Sequence, residues 1–124
     1  MSIQIQARGF RLTRALEQYV LKRVYSGLGD RLEKIGRLQV GLSDINGPRG
    51  GADKCCSVVI AIPHQPDLVV KDTRDNMYSA IDGALRRARQ SLRRRLSKIR
   101  VRTQAKIARS AHALELAEPS AGAH

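Results

Sequence analysis

The chain is short of aromatic side chains: it has three tyrosines, one phenylalanine and no tryptophan, so aromatics make up 3% of 124 residues. A surface that reads single-stranded bases chiefly by stacking is therefore a poor expectation. No apolar run approaches the ~20 residues of a membrane span, and the N-terminus has no basic segment followed by an apolar one. These absences predict a cytoplasmic protein without a membrane partner. The two cysteines, Cys55 and Cys56, are adjacent. On an extended strand they point to opposite faces, so they suit neither an ordinary disulfide nor a shared metal, and reduced thiols, one of them in the core, are expected. The Gly47-Pro48-Arg49-Gly50-Gly51 run lacks the Lys-Ser or Lys-Thr ending of a phosphate-binding loop. His64 stands alone between prolines, and Asp44, Asp53, Asp67 and Asp75 border strands or loops, where turns and caps use aspartate. No nucleophile, acid–base pair or ligand cluster emerges. The sequence predicts neither an enzyme, a metal site, a cofactor nor a small-molecule substrate.

Acid is the other scarcity, and it is local. From Gly83 through Leu114 there is no Asp or Glu, whereas Arg86 to Arg102 holds eight arginines and Lys98 within seventeen residues. The formal net charge of +12 is concentrated toward one end of the sequence. Solvated helix faces usually mix signs to gain pairs one turn apart, and this one cannot. A field of this kind attracts the phosphates of RNA or DNA.

The apolar pattern supplies the scaffold. Ile3, Ile5 and Ala7 alternate with glutamines as in a half-buried strand that Gly9 ends. Thr13 is the expected cap of a first helix carrying Leu16, Tyr19, Val20 and Val24 on one side and ending at Gly27 and Gly29. Leu38, Val40 and Leu42 alternate as a second strand, followed by a loop over 44–51. Cys56, Val58, Ile60 and Ile62 form one face of a third strand, and a fourth begins at Leu68 after a tight Pro63-His64-Gln65-Pro66 connection. A second helix capped by Asp75 or Asn76 buries Met77, Ile81, Ala84, Leu85, Ala88 and Leu92. Arg86, Arg87, Arg89, Arg93 and Arg94 are expected on its opposite side. The expected fold class is α+β, β-α-β-β-β-α, a four-stranded mostly antiparallel sheet with two helices packed on one face. The domain is expected over residues 1–102, with a frayed or disordered tail over 103–124.

The stretch Asn76-Met77-Tyr78-Ser79-Ala80-Ile81-Asp82-Gly83, followed by a basic helix, resembles the signature of the ribosome hibernation promoting factor and ribosome-associated translation inhibitor family, also called the sigma-54 modulation protein family. Thr13 to Val20 resembles that family's first helix. The resemblance covers about residues 1 to 100 and is to the short form, without the second, dimerising domain of longer relatives. It implies a β-α-β-β-β-α domain that docks on the small ribosomal subunit, in the channel used by messenger and transfer RNA, and silences or preserves idle ribosomes under stress or in stationary phase. The family's cations on the second helix match Arg87, Arg94 and Lys98, and one on the first helix matches Arg23.

The candidate RNA-binding residues are therefore Lys22, Arg23, Arg86, Arg87, Arg89, Arg93, Arg94 and Lys98, with Tyr78 a further possible contact. The expected partner is the small subunit and its ribosomal RNA, and the free protein is expected to be a monomer. The alternative is a generic double-stranded RNA-binding module, whose α-β-β-β-α order lacks only the first strand. Such a module binds any A-form duplex of about sixteen base pairs. A third class, a small enzyme or membrane-surface protein, is opposed by the missing catalytic constellation and by an apolar stripe that the sheet needs for its own cover.

Overall fold

A computed structural model describes residues 2–44 and 53–117, with side chains as far as Arg109. Strand β1 (Ser2–Arg8) leads to helix α1 (Arg14–Leu28) and a 3-10 turn (Gly29–Lys34). Strands β2 (Arg37–Asp44), β3 (Lys54–Ala61) and β4 (Leu68–Arg74) follow, and then helix α2 (Met77–Ala117). The sheet order is β1-β2-β3-β4, with β1 parallel to β2 and the other pairs antiparallel. The one parallel pair is the one joined through α1, because a parallel connection needs a crossover of a dozen or more residues. This is the expected α+β arrangement. The chain divides into two units, Met1–Leu92 and Arg93–His124. The boundary falls within α2, so the core, the sheet and the first part of that helix belong to the first unit.

Alternation decides which sheet face is covered. Leu38, Val40, Leu42, Cys56, Val58 and Ile60 are all at most 1% exposed, and every residue between them in β2 and β3 is only partly buried. Leu16, Val20, Val24 and Leu28 of α1 and Ala80, Ile81, Ala84, Leu85, Ala88 and Leu92 of α2 close over that face at helical spacing. Met77 is half-buried, and Ala80 takes a fuller place in the stripe.

Local signals set the element ends. Thr13 Oγ1 accepts the Leu16 amide at 3.2 Å, and the helix passes through Gly27 to stop at Gly29. Gly9, at φ 88°, ends β1 with its α-carbon against the Asp44 carbonyl, where a β-carbon would stand 2.7 Å from the oxygen. In the β3–β4 connection the Gln65 amide donates to the Ile62 carbonyl at 3.1 Å, and His64 takes a left-handed φ of 63°. Of the expected loop over 44–51, Asp44 closes β2 and the rest lies outside the described residues.

At the start of α2, Asn76 is the cap. Its Oδ1 accepts the amides of Tyr78 at 2.8 Å and Ser79 at 3.3 Å. Gly83 lets the helix approach β4, since a β-carbon there would fall on the carboxylate of Asp72. Asp72 is 6% exposed; its Oδ1 accepts Arg74 Nε at 3.0 Å, and its Oδ2 has no hydrogen-bond partner among the described residues. Helix α2 does not end at Arg102 but continues through Thr103 to Ala117, over residues where a frayed or disordered tail was expected. Alanine, arginine, lysine, glutamine and leucine dominate 103–117 and are the strongest helix formers, so local propensity favours the extension. Glu118 and Pro119 lie outside the described residues.

Candidate nucleic-acid interface

The seam between α1 and the first part of α2 is organised by one acid. Asp82 Oδ1 accepts the Tyr19 hydroxyl at 2.7 Å and pairs with Arg23 Nε at 2.9 Å. Tyr19 and Arg23 are one turn apart on α1, so both reach the same oxygen. Holding its proton on Asp82, and losing solvent, Tyr19 titrates above the ordinary tyrosine range. Because Arg23 is tethered through Nε, its two terminal nitrogens remain available as a fork. The Arg23 side chain is 46% exposed, so the pair adds little to stability and chiefly orients the guanidinium.

Arg23, Ser26 and Gly27 on one side, and Arg86 and Arg89 on the other, line a groove along this seam, with Asp82 in its wall. No acid pairs with Arg86 or Arg89 among the described residues. Arg87 turns the other way: its Nη1 donates to the carbonyl of Lys71 on β4 at 2.9 Å. The arginines expected together on one side thus flank the helix, two toward α1 and one toward the sheet edge. All three are exposed, as are Lys22 and Arg23.

Tyr78 packs edge-on against Tyr19, with ring centroids 4.7 Å apart and planes at 86°, and stays 43% exposed. The ring is thus shared between this contact and the surface. Tyr19, expected in the core, is only half-buried and sends its hydroxyl into the seam. Sequence reasoning missed Asp82. The readable signal was the pair of one-turn spacings, Tyr19 to Arg23 and Tyr78 to Asp82, on two helices that must lie side by side.

The second unit is helical from Arg93 to Ala117. Arg93, Arg94 and Lys98 are exposed, Arg95 is half-buried, and every side chain from Arg100 to Arg109 is exposed, including Arg100, Arg102, Lys106 and Arg109 outside the apolar pattern. No acidic side chain occurs among the described ones of this helix beyond Asp82.

The remaining reactive groups fall elsewhere. Cys55 and Cys56 are free thiols on opposite faces of β3; Cys56 is fully buried, and burial pushes its thiol up to about 12. Lys54 Nζ bridges Asp53 and Asp44 at 3.1 Å each, which pairs the acids at this end of the strands and raises the lysine. No group of three metal-ligating side chains gathers among the described residues, and no described helix is long and apolar enough to cross a membrane.

Fold and site together define a small α+β domain whose helical layer presents cations along a seam and beside a sheet edge. The family model described as sigma 54 modulation protein / S30EA ribosomal protein matches residues 3–100, and the chain belongs to that family of ribosome-associated modulation proteins. Among solved structures, a ribosomal subunit interface protein from Coxiella burnetii is similar at 18% identity and a TM-score of 0.67, over 78% of this chain and 99% of that one. The N-terminal domain of protein Y from Thermus thermophilus is similar at 23% identity and a TM-score of 0.62, over 76% of this chain and 98% of that one. At these identities the two neighbours establish the fold. A sequence search of curated proteins gave no match.

Proposed function

We propose that this protein binds the small ribosomal subunit, lying against the ribosomal RNA of the messenger and transfer RNA channel, and so silences or preserves idle ribosomes under stress or in stationary phase. It works in the cytoplasm, as a monomer when free, by occupancy rather than chemistry. Lys22, Arg23, Arg86, Arg87 and Arg89 of the first unit, and Arg93, Arg94 and Lys98 of the second, neutralise phosphates. Tyr78, 43% exposed, is a further RNA contact. The observation that carries this reading is the Asp82 tether. Asp82 is engaged by Tyr19 and Arg23, which leaves Arg86 and Arg89 without an acid among the described residues and Arg23 oriented toward the same groove. One arginine fork held by Asp82, beside two further arginines on packed helices, suits a folded RNA of particular shape.

The test is co-sedimentation with isolated small subunits, run beside a long RNA duplex across a salt series. With six to ten phosphate contacts, affinity falls by ~10³ or more between 50 and 200 mM salt. Retention on subunits at salt that strips the protein from duplex supports the ribosome reading. Equal loss from both would replace it with a generic double-stranded RNA-binding module.

A further inference from the structure

The helices cover one face of the sheet, and the other face has a character of its own. Its residues form cross-strand rows: Gln4 beside Gln39, Val59 and Val69; Gln6 beside Gly41, Ser57 and Lys71; and Arg8 beside Ser43, Cys55 and Thr73. With Arg37 at the far end, this face has three cations, and no acid lies on it among the described residues. Asp44 and Asp72 sit at the alternate positions, on the helix side. In the middle row Gly41 has no side chain, and a β-carbon there would meet the Ser57 hydroxyl at 2.8 Å. A shallow groove results, with Gly41, Ser43, Ser57 and Cys55 in its floor and Arg8 and Lys71 at its two ends. The Lys71 carbonyl accepts Arg87, so the cations of α2 and those of the open sheet face meet around the outer edge of β4.

We propose that this open sheet face is a second nucleic-acid-binding surface, which takes an RNA backbone across the groove between Arg8 and Lys71; the inference rests on the proposed binding to the small subunit. The chemistry suits phosphate and ribose rather than bases or protein. Hydroxyls and amides hydrogen-bond to sugar and phosphate oxygens, while the face has no aromatic ring on which a base could stack. It also lacks the apolar centre of a protein interface, since among the described residues Val59, Val69 and Ala61 are its only sizeable apolar side chains besides Cys55. Arg8 and Lys71 stand on the two edge strands, three strand spacings (about 14 Å) across and one row apart along them, and so engage different phosphates.

The test measures the salt dependence of binding to small subunits, and to protein-free small-subunit RNA, for the wild type, R8A/K71A and R86A/R89A. Both altered residues on the sheet are exposed, and Lys71 meets Arg87 through its backbone, so R8A/K71A should melt with the wild type. Loss of two phosphate contacts lowers the slope of log affinity against log salt by about 1.5 with both targets. Between 50 and 200 mM salt that narrows the gap to wild type about eight-fold. Alkylation of Cys55 should also slow in the complex. If R8A/K71A keeps the wild-type slope while R86A/R89A lowers it, the sheet face is not a binding surface and the helical reading stands. A slope lowered on subunits and unchanged on protein-free RNA would assign the face to an acidic ribosomal protein and overturn the RNA occupant. Failure of the wild type to bind subunits would remove the functional reading and this inference with it.

Discussion

Two glycines in helices should respond to alanine with opposite signs, and the difference tests how α2 meets the sheet. At Gly27, in the last turn of α1, a β-carbon meets nothing within 4 Å, so alanine gains helix propensity and stabilises by about 0.5 kcal/mol. At Gly83 the same propensity gain of about 1 kcal/mol is opposed by the Asp72 carboxylate, which occupies the space a methyl needs. Displacing a buried, well-packed group costs about 1–3 kcal/mol. The displaced carboxylate also weakens its 3.0 Å bond to Arg74 Nε, a further loss of about 1 kcal/mol after discounting for the arginine's 43% exposure. The net effect of Gly83→Ala is a destabilisation of about 2 kcal/mol, a melting temperature roughly 10 °C lower for a domain of this size. In an Asp72→Ala background the collision is gone, and Gly83→Ala should be neutral or stabilising, by up to about 1 kcal/mol. Thermal and urea unfolding followed by circular dichroism yield the four stabilities of the cycle. A stabilising Gly83→Ala, or equal effects in the two backgrounds, would refute the close approach of α2 to β4.

The buried Cys56 thiol makes stability depend on pH at the alkaline end. Its folded value of about 12 lies above the ordinary 9.0, so unfolding releases a proton above pH 9 and the contribution is lost as pH rises toward 12. Urea midpoints under reducing conditions should fall by an amount equal to about 1.4 kcal/mol at pH 10, and Cys56→Ala should flatten this slope while lowering stability at neutral pH. Native protein should react with one equivalent of a thiol reagent, at Cys55, and unfolded protein with two; two fast equivalents in the native state would contradict the burial of Cys56. Removing the α2 cap with Asn76→Ala should cost about 1 kcal/mol in the same unfolding assay, with no loss if the Tyr78 and Ser79 amides find other partners. The charge reversal R87E/R94E should leave the far-ultraviolet spectrum unchanged, because both side chains are exposed and the fold loses only the solvent-facing bond from Arg87 to the Lys71 carbonyl, and should abolish co-sedimentation with small subunits. Retained binding would show that the basic helix is not the docking face.

Much of this molecule was legible from periodicity. Strict alternation at Leu38, Val40 and Leu42 and at Cys56, Val58 and Ile60 selects one sheet face. Spacing of three and four residues from Ile81 to Leu92 selects one helix face, because each pattern matches the geometry of its own element. Thr13 and Gly9 acted through their own chemistry, a hydroxyl acceptor and a missing β-carbon, and so could be read singly. The family, too, could be recognised from a short run, Asn76 to Gly83, joined to a basic helix.

Other features depended on contacts between residues far apart in the chain. Projection along one helix separates apolar from charged positions, yet it has no knowledge of neighbours. It therefore placed Arg86, Arg87 and Arg89 together, where packing sends two toward α1 and one around β4. The Asp82 tether needs α1 and α2 side by side, since Tyr19 and Asp82 are 63 positions apart in sequence. Gly83 and Asp72 likewise explain one another only when helix and strand touch. The Ala-rich stretch from Thr103, with its late Glu115, Glu118 and Pro119, suggests a tail in one dimension, while helix propensity carries α2 through to Ala117. Local chemistry and periodicity act within a few residues and can be read in one dimension. The direction in which an arginine points, the acid that holds it and the sheet face left open are properties of surfaces brought together by folding.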